Sequence, residues 1–393
     1  MPLELFGEDE DIPEHVNFAK EAFERTIYKE LDDVTYKHAM ECAVYHHERY
    51  DGKGYLKGLK GEEIPFVARI CAIADMYDHL VTENPYYLKD GNEAIVKQII
   101  SESGKRFQPE LVDDCQGLDK YLQCIAKSYK EWYLTQYEKY PLNMKNTCTE
   151  LINVPELFNR RSPGGTCLTA IQAGANGTME TPLNNSKGCD GVMRVAPIGL
   201  FLQQDEYKIE QIDTLGAKAA ALTHGHELGY IPAAALVHII NLVSHNDDIT
   251  LLEAVTNMKK TIKKQFANAK HLEEQIKLID RAISLSKEDV EDLYAINELG
   301  EGWVAEETIA IAIYCSLKYD DNFEKAIIAS INHSGDSDST GSVTGNILGA
   351  YLGLENIPEK YIENLEIKDV IINMADKLYE DKKNEKNCIY GAK

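Results

Sequence analysis

Apolar residues recur at three-and-four spacing along most of this chain, and no alternating pattern of strand type persists anywhere. A chain patterned this way buries its apolar faces by packing helices on helices. The expected fold class is therefore all-α. The spacing predicts helices over 21–31, 34–45, 64–80, 93–103, 118–140, 216–224, 231–244, 251–267, 272–285, 287–299, 305–319 and 322–332. Ser286 with Asp289 has the form of a capping box opening the helix 287–299. Between 159 and 191, Pro163, Gly164, Gly165, Gly174, Gly177, Pro182 and Gly188 leave little room for long elements, and loops of that length are often functional. At 393 residues two domains are the natural division. Gly117, just after the acidic pair Asp113 and Asp114, sets the expected boundary between units 1–117 and 118–393. The polar end KKNEKNCIYGAK is expected to fray.

Charge narrows the partners. A net charge of −24 argues against nucleic acid and against anionic membranes, since both demand basic patches. Nine cysteines without a C-x-x-C pair suit reduced thiols, hence a cytoplasmic protein. The start, MPLELFGEDEDIPEHV, lacks the basic-then-apolar pattern of a signal peptide, and no apolar run approaches membrane-spanning length.

Two distant segments carry the chemistry. NHSGDSDSTG at 332–341 packs Asp336, Asp338, Ser339 and Thr340 ahead of a helical stretch, and such oxygens suit a hard divalent cation like Mg²⁺. A calcium loop is excluded, because its twelfth position would be Ile347 where a bidentate Glu is needed. Helix capping needs only one such residue, and two neighbouring carboxylates repel unless a cation intervenes. Beyond them Gly341, Gly345, Gly349 and Gly353 make a bare stripe against which a neighbouring helix can pack closely. NNSKGCDGVMRVAPIG at 184–199 is rich in Gly and small polar groups, as backbone approaching a sugar or phosphate requires. Together they point to a metal-assisted site for a phosphorylated, sugar-bearing ligand.

NNSKGCDGVMRVAPIGLF, ALTHGHELGYIPAAAL, LGEGWVAEETIAIAIYC and INHSGDSDSTGSVTGNILGAYLG resemble, in order and spacing, blocks of the ADP-ribosylglycohydrolase family over about residues 118–380. The resemblance implies an all-α orthogonal helical bundle that hydrolyses the bond from ADP-ribose to a protein side chain or another acceptor, with two Mg²⁺ ions. It implies metal ligands at Asp336, Asp338 and Ser339. It further implies an ADP-ribose cradle of Asn185, Ser186, Gly188, Gly191, Met193 and Arg194, with His224 lining the cleft. Taken alone, Arg194 reads as a surface ion pair and His224 as a half-buried histidine. Asp190 stands where the family block has Gly. The family's G-D-A-x-G helix and T-D-D-T block, which supply the other ligands, are absent from this sequence. A partner chain could supply them.

The preceding part is similar to the end of an HD-GYP phosphodiesterase domain, over about residues 20–116. HHERYDGKGYLKGLKGEEIPFVARICAIADMYDHLVT, Tyr86 with Tyr87, and ESGKRFQPELVDD carry the likeness. By that resemblance His46, His47 and Asp75 are vestigial metal ligands, although the sequence holds no His-Asp dyad. Three functions follow as expectations: a Mg²⁺-dependent hydrolase of ADP-ribosylated targets, a catalytically weak ADP-ribose-binding scaffold, and a degenerate cyclic di-GMP phosphodiesterase.

Overall fold

The computed structural model describes residues 21, 33–55, 57–83, 92–109, 111–112, 117–142, 144 and 147–390. Regular structure among them is helical. Only isolated bridges, Ser103 with Phe107 and Gly188 with Val304, pair extended backbone. The chain divides into two compact units, Met1–Lys120 and Tyr121–Lys393. The expected helix 21–31 lies outside the described residues apart from Glu21, as do Tyr86, Tyr87, Asp113 and Asp114.

The first unit contains α1 (Asp33–Tyr45), α2 (Phe66–Glu83) and α3 (Asn92–Ser101). Ala72, Ile73, Met76 and Leu80 form one stripe of α2 and pack with Ile95, Ile99, Phe107 and Val112. Ahead of α2, the Gly- and Lys-rich loop is held by Glu48, whose buried carboxylate accepts the Lys57 and Leu59 N–H groups at 2.7 and 3.0 Å.

Helix α4 (Asp119–Thr135) starts in the last residues of the first unit and runs into the second, which continues with α5 (Gly165–Gln172) and α6 (Ala196–Phe201). There follow α7 (Ile209–Ala221), α8 (Glu227–His245), α9 (Leu251–Gln265), α10 (Leu272–Leu285) and α11 (Asp292–Leu299). It ends with α12 (Ala305–Lys318), α13 (Phe323–Ile331), α14 (Ser337–Leu352), α15 (Glu359–Glu363) and α16 (Lys368–Tyr390). Helix α8 is the hub, packed against α6, α7, α9, α10, α12 and α14. A helix enclosed on every side must be apolar on every side. That corrects the expectation about apolar runs: by length and composition α8 could cross a membrane, but 89% of its apolar window is buried inside the fold. Small residues bring α7 and α8 together, so that a Cβ at Gly216 would lie 2.7 Å from Val237 Cγ2.

Several boundaries differ from the sequence reading. Helix α7 opens at Ile209, where Gln211 accepts the Lys208 N–H at 3.0 Å, and it ends before His224. The helix expected from 287 begins at Asp292 instead. Ser286 closes α10, and the N–H groups of Lys287 and Glu288 turn back to the Ser284 and Leu285 carbonyls. The supposed long loop contains α5. The polar C-terminus, expected to fray, continues α16 as helix to Tyr390.

Candidate active site

Asp336 is set in place by backbone. Its N–H donates to the Glu301 carbonyl at 2.7 Å, and a Cβ on the preceding Gly335 would lie 1.8 Å from that same oxygen. The Glu301 turn is fixed in its own right, since the Glu307 carboxylate accepts the N–H groups of Glu301 and Gly302, each at 3.0 Å. Thr340 Oγ1 donates to the Ser330 carbonyl at 2.6 Å and ties the first turn of α14 to α13. Asp336 therefore sits at the N-cap and Asp338 in the first turn, with Ser339 turned into the protein.

This acidic turn meets the glycine-rich loop directly. Cys189 Sγ donates to Asp336 Oδ2 at 3.0 Å. Ser339 Oγ lies 3.1 Å from Met193 Sδ, 3.3 Å from Cys189 Sγ and 3.3 Å from Asp338 Oδ1. The two segments that the sequence singles out thus share one site. Asp338 is shifted up, first by its hydrogen bond with Asp336 and then by partial burial. Burial opposes ionisation of Asp336, but hydrogen bonds with Asp338, Cys189 and Ser339 hold it below the usual range. Burial, aided by Asp336, pushes the Cys189 thiol up to about 12. The hydroxyl and the paired carboxylates fit one hard cation, since two carboxylates this close otherwise share a proton.

Asn184, which sequence reasoning missed, staples the loop. Its Oδ1 accepts the Ser186 and Gly225 N–H groups at 2.9 and 3.2 Å, and its Nδ2 donates to the Thr223 carbonyl at 2.8 Å. Asn185 is exposed beside it. Ser186 Oγ accepts the Gly188 N–H at 3.3 Å and lies 3.2 Å from Thr166 Oγ1. Lys187 pairs with the buried Glu306. Gly188 and Gly191 lie over His224: Cβ atoms there would approach its Nε2 to 3.3 Å and its Cγ to 3.4 Å.

The structure corrects two single-residue readings. His224 is fully buried beneath the loop, neither half-buried nor at the cleft surface. Its ring is pushed down to about 3 by burial and by the Arg194 charge, so it is neutral. Arg194 makes no surface ion pair. Its guanidinium lies 4.3 Å from the Tyr129 ring centroid, Nη1 donates to Cys167 Sγ at 3.3 Å, and Nη2 donates to Thr223 Oγ1. Tyr129 carries no signal in sequence, and neither Cys167 nor Thr223 is singled out there as a site residue. Asp190 folds over Gly164, which has a φ of 71°, and a Cβ there would lie 2.6 Å from Asp190 Oδ2.

In the first unit, His46 Nδ1 lies 2.9 Å from the Cys42 carbonyl and the His47 ring stacks on Tyr55 with centroids 4.9 Å apart. His46, His47 and Asp75 do not form a group whose ligand atoms all lie within 4.8 Å of one another.

Comparison with known proteins finds two family matches along the chain, which overlap over residues 98–111. Residues 98–388 match the family model described as ADP-ribosylglycohydrolase, and residues 12–111 match that of an HD domain. The all-helical scaffold is of the fold class that the first family has. This chain belongs to the ADP-ribosylglycohydrolase family. It is 27% identical over 225 residues to ADP-ribosylhydrolase ARH3 of Mus musculus, covering 50% of this chain and 58% of that one. It is 30% identical over 197 residues to an uncharacterized protein of Archaeoglobus fulgidus, covering 50% and 59%. A cyclic di-GMP phosphodiesterase of Thermotoga maritima is 40% identical over 91 residues, which are 23% of this chain and 25% of that one. The chain thus spans less than two thirds of each of these relatives.

Proposed function

We propose that this protein is a Mg²⁺-dependent hydrolase that releases ADP-ribose from modified protein side chains or a related acceptor. The observation that carries this reading is the Cys189–Asp336 contact, which joins the acidic turn to the glycine-rich loop within the segment matching the family. Asp336, Asp338 and Ser339 would hold one Mg²⁺. When bound, such an ion polarises sugar oxygens and activates water. The chain's own groups do the rest. The 184–191 loop, stapled by Asn184, presents backbone N–H groups to the diphosphate. Asn185, Ser186, Gly188, Gly191, Met193 and Arg194 shape the cradle, with His224 supporting it from below. Cys42, Cys71, Cys124, Cys148, Cys167, Cys189 and Cys315 are free thiols, which accords with a cytoplasmic setting.

The missing T-D-D-T block favours a second reading, in which the site binds ADP-ribose and turns over slowly. Calorimetry with ADP-ribose, with and without Mg²⁺, beside a release assay on ADP-ribosylated arginine and serine peptides separates the two. Mg²⁺-dependent release reduced at least tenfold by Asp338→Ala is expected of the hydrolase. Mg²⁺-strengthened binding without release makes the protein a binder, and no binding at all overturns both.

A further inference from the structure

Behind the glycine-rich loop, Cys167 Sγ, a carboxylate oxygen of Asp190 and a ring nitrogen of His224 all lie within 4.8 Å of one another. The Asp190 Oδ2 to His224 Nε2 separation is 3.8 Å. We infer that these three side chains form a site for a borderline transition-metal ion of the Zn²⁺ class, separate from the hard-cation site at Asp336 and Asp338. Thiolate, imidazole and carboxylate are the donors such ions take, whereas Mg²⁺ prefers oxygen alone.

The hydrogen-bond accounting around Thr223 supports this. Thr223 Oγ1 has one proton and two lone pairs. Arg194 Nη2 donates to it, Ala220 O lies 3.4 Å away, and His224 Nδ1 lies 2.8 Å away. All three contacts are satisfied when the hydroxyl donates to Ala220 and accepts from both Arg194 and His224. The Nδ1 position of His224 then carries the proton, and Nε2 presents a bare lone pair. That Nε2 is buried without a hydrogen-bond partner, in a side chain that is fully buried. An imidazole oriented through its other nitrogen, with a free lone pair aimed at a thiol and a carboxyl, has the arrangement of a metal ligand.

Geometry and charge agree. Ligand bonds of ~2.0–2.3 Å place tetrahedral ligand atoms about 3.5 Å apart, so the cluster closes with shifts under about 1 Å. Cys167 and His224 are buried, whereas Asp190 keeps 35% of its side chain exposed and leaves a way in. Binding displaces the Cys167 proton to solvent; thiolate and carboxylate then offset the dication, and the Arg194 charge beside them is retained. Arg194 remains as donor to the sulfur. A Cys167–Asp190 hydrogen bond and the charge of Arg194 would account for Asp190 without a metal, but they leave His224 Nε2 unexplained.

The test uses the full chain, stripped with a chelator and titrated with Zn²⁺ in excess Mg²⁺. Co²⁺ then serves as a spectroscopic probe. Expected are one Zn²⁺ per chain, a thiolate-to-Co²⁺ charge-transfer band, and at least tenfold weaker Zn²⁺ binding in Cys167→Ser and Asp190→Gly. Asp338→Ala should leave all of this unchanged, which keeps the outcome distinct from that of the Mg²⁺-dependent reading. Asp190 is partly exposed and its replacement is glycine, so that variant remains informative if Cys167→Ser fails to fold. Equal Zn²⁺ affinity in Asp190→Gly, a Co²⁺ complex without the thiolate band, or loss of Zn²⁺ binding in Asp338→Ala would overturn the assignment.

Discussion

Gly335 shows how much of the site is set by the absence of a single side chain. A Cβ there would stand 1.8 Å from the Glu301 carbonyl oxygen, a backbone atom that the Glu307 carboxylate holds in place. Gly335→Ala must therefore push the acidic turn away from its partner, and overpacking of this kind costs about 1–3 kcal/mol. Gly345→Ala provides the contrast, because its Cβ would meet only Ile327 Cδ1, at 3.7 Å, on a helix where alanine is favoured by about 1 kcal/mol. Urea unfolding should show the first variant destabilised and the second neutral or stabilised; equal effects would mean that the Glu301 contact does not constrain the turn. The sequence marks both glycines but cannot rank them. The expected stripe of four glycines is shorter in the structure, because Gly353 lies past the end of α14 with a φ of 75°, and of the other three only Gly341 is tightly approached, by Ile331 at 2.6 Å. Legibility ended at the same point for His224, whose residue type and place were readable while its burial was not. Burial depends on Gly188 and Gly191 lying over the ring, which is a tertiary fact.

Elements were legible where local chemistry and apolar spacing agree. Thr250 and Glu253 form a capping box that starts α9 where the periodicity starts. The same reasoning failed at Ser286, because its hydroxyl bonds the Ile283 carbonyl and closes α10 instead of opening a new helix. Residue spacing also could not reveal how closely α7 meets α8. Gly216→Ala gains helix propensity yet places a methyl 2.7 Å from Val237 Cγ2, so it should lower stability by about 1–3 kcal/mol. Val237→Ala in the same chain should recover part of that loss, and strict additivity in a double-mutant cycle would show that the two sites do not touch. Helices α11 and α12 are joined by a polar device. Tyr314, Tyr319 and Lys318 donate to the Asp292 carboxylate at 2.8, 2.9 and 2.9 Å. Burial opposes its ionisation, but these three partners hold Asp292 below its ordinary value of 3.8. A carboxylate with a depressed folded value contributes stability above 3.8 that is lost as pH falls through the folded value. Asp292→Asn should therefore cost about 2 kcal/mol at neutral pH. The gap to wild type should close below pH 3.8, and a gap independent of pH would rule out this linkage.

At the scale of the whole molecule, the all-helical class followed from periodicity alone, whereas the two-unit composition rested on recognising blocks. Physical chemistry contributes a further constraint that neither provides. The chain carries a net charge of −24, and the carboxylates of Asp190, Asp336 and Asp338 gather around the proposed cradle. Near them, the Lys187 ammonium is already paired with Glu306. An ADP-ribose group brings its own negative diphosphate, so both the global field and much of the local one oppose its approach. Screening lengths fall from about 30 Å at 0.01 M salt to about 8 Å at 0.15 M, so added salt removes the long-range repulsion while leaving contacts inside the site. Binding of ADP-ribose without Mg²⁺ should therefore tighten as KCl rises over that range. Mg²⁺ at Asp336 and Asp338 neutralises the nearest carboxylates, and with it present the salt effect should shrink. Calorimetric titrations at the two salt concentrations, each with and without Mg²⁺, provide the measurement. Binding that weakens with salt in the absence of Mg²⁺ would mean that a cationic surface, rather than the acidic field described here, governs the approach of the ligand.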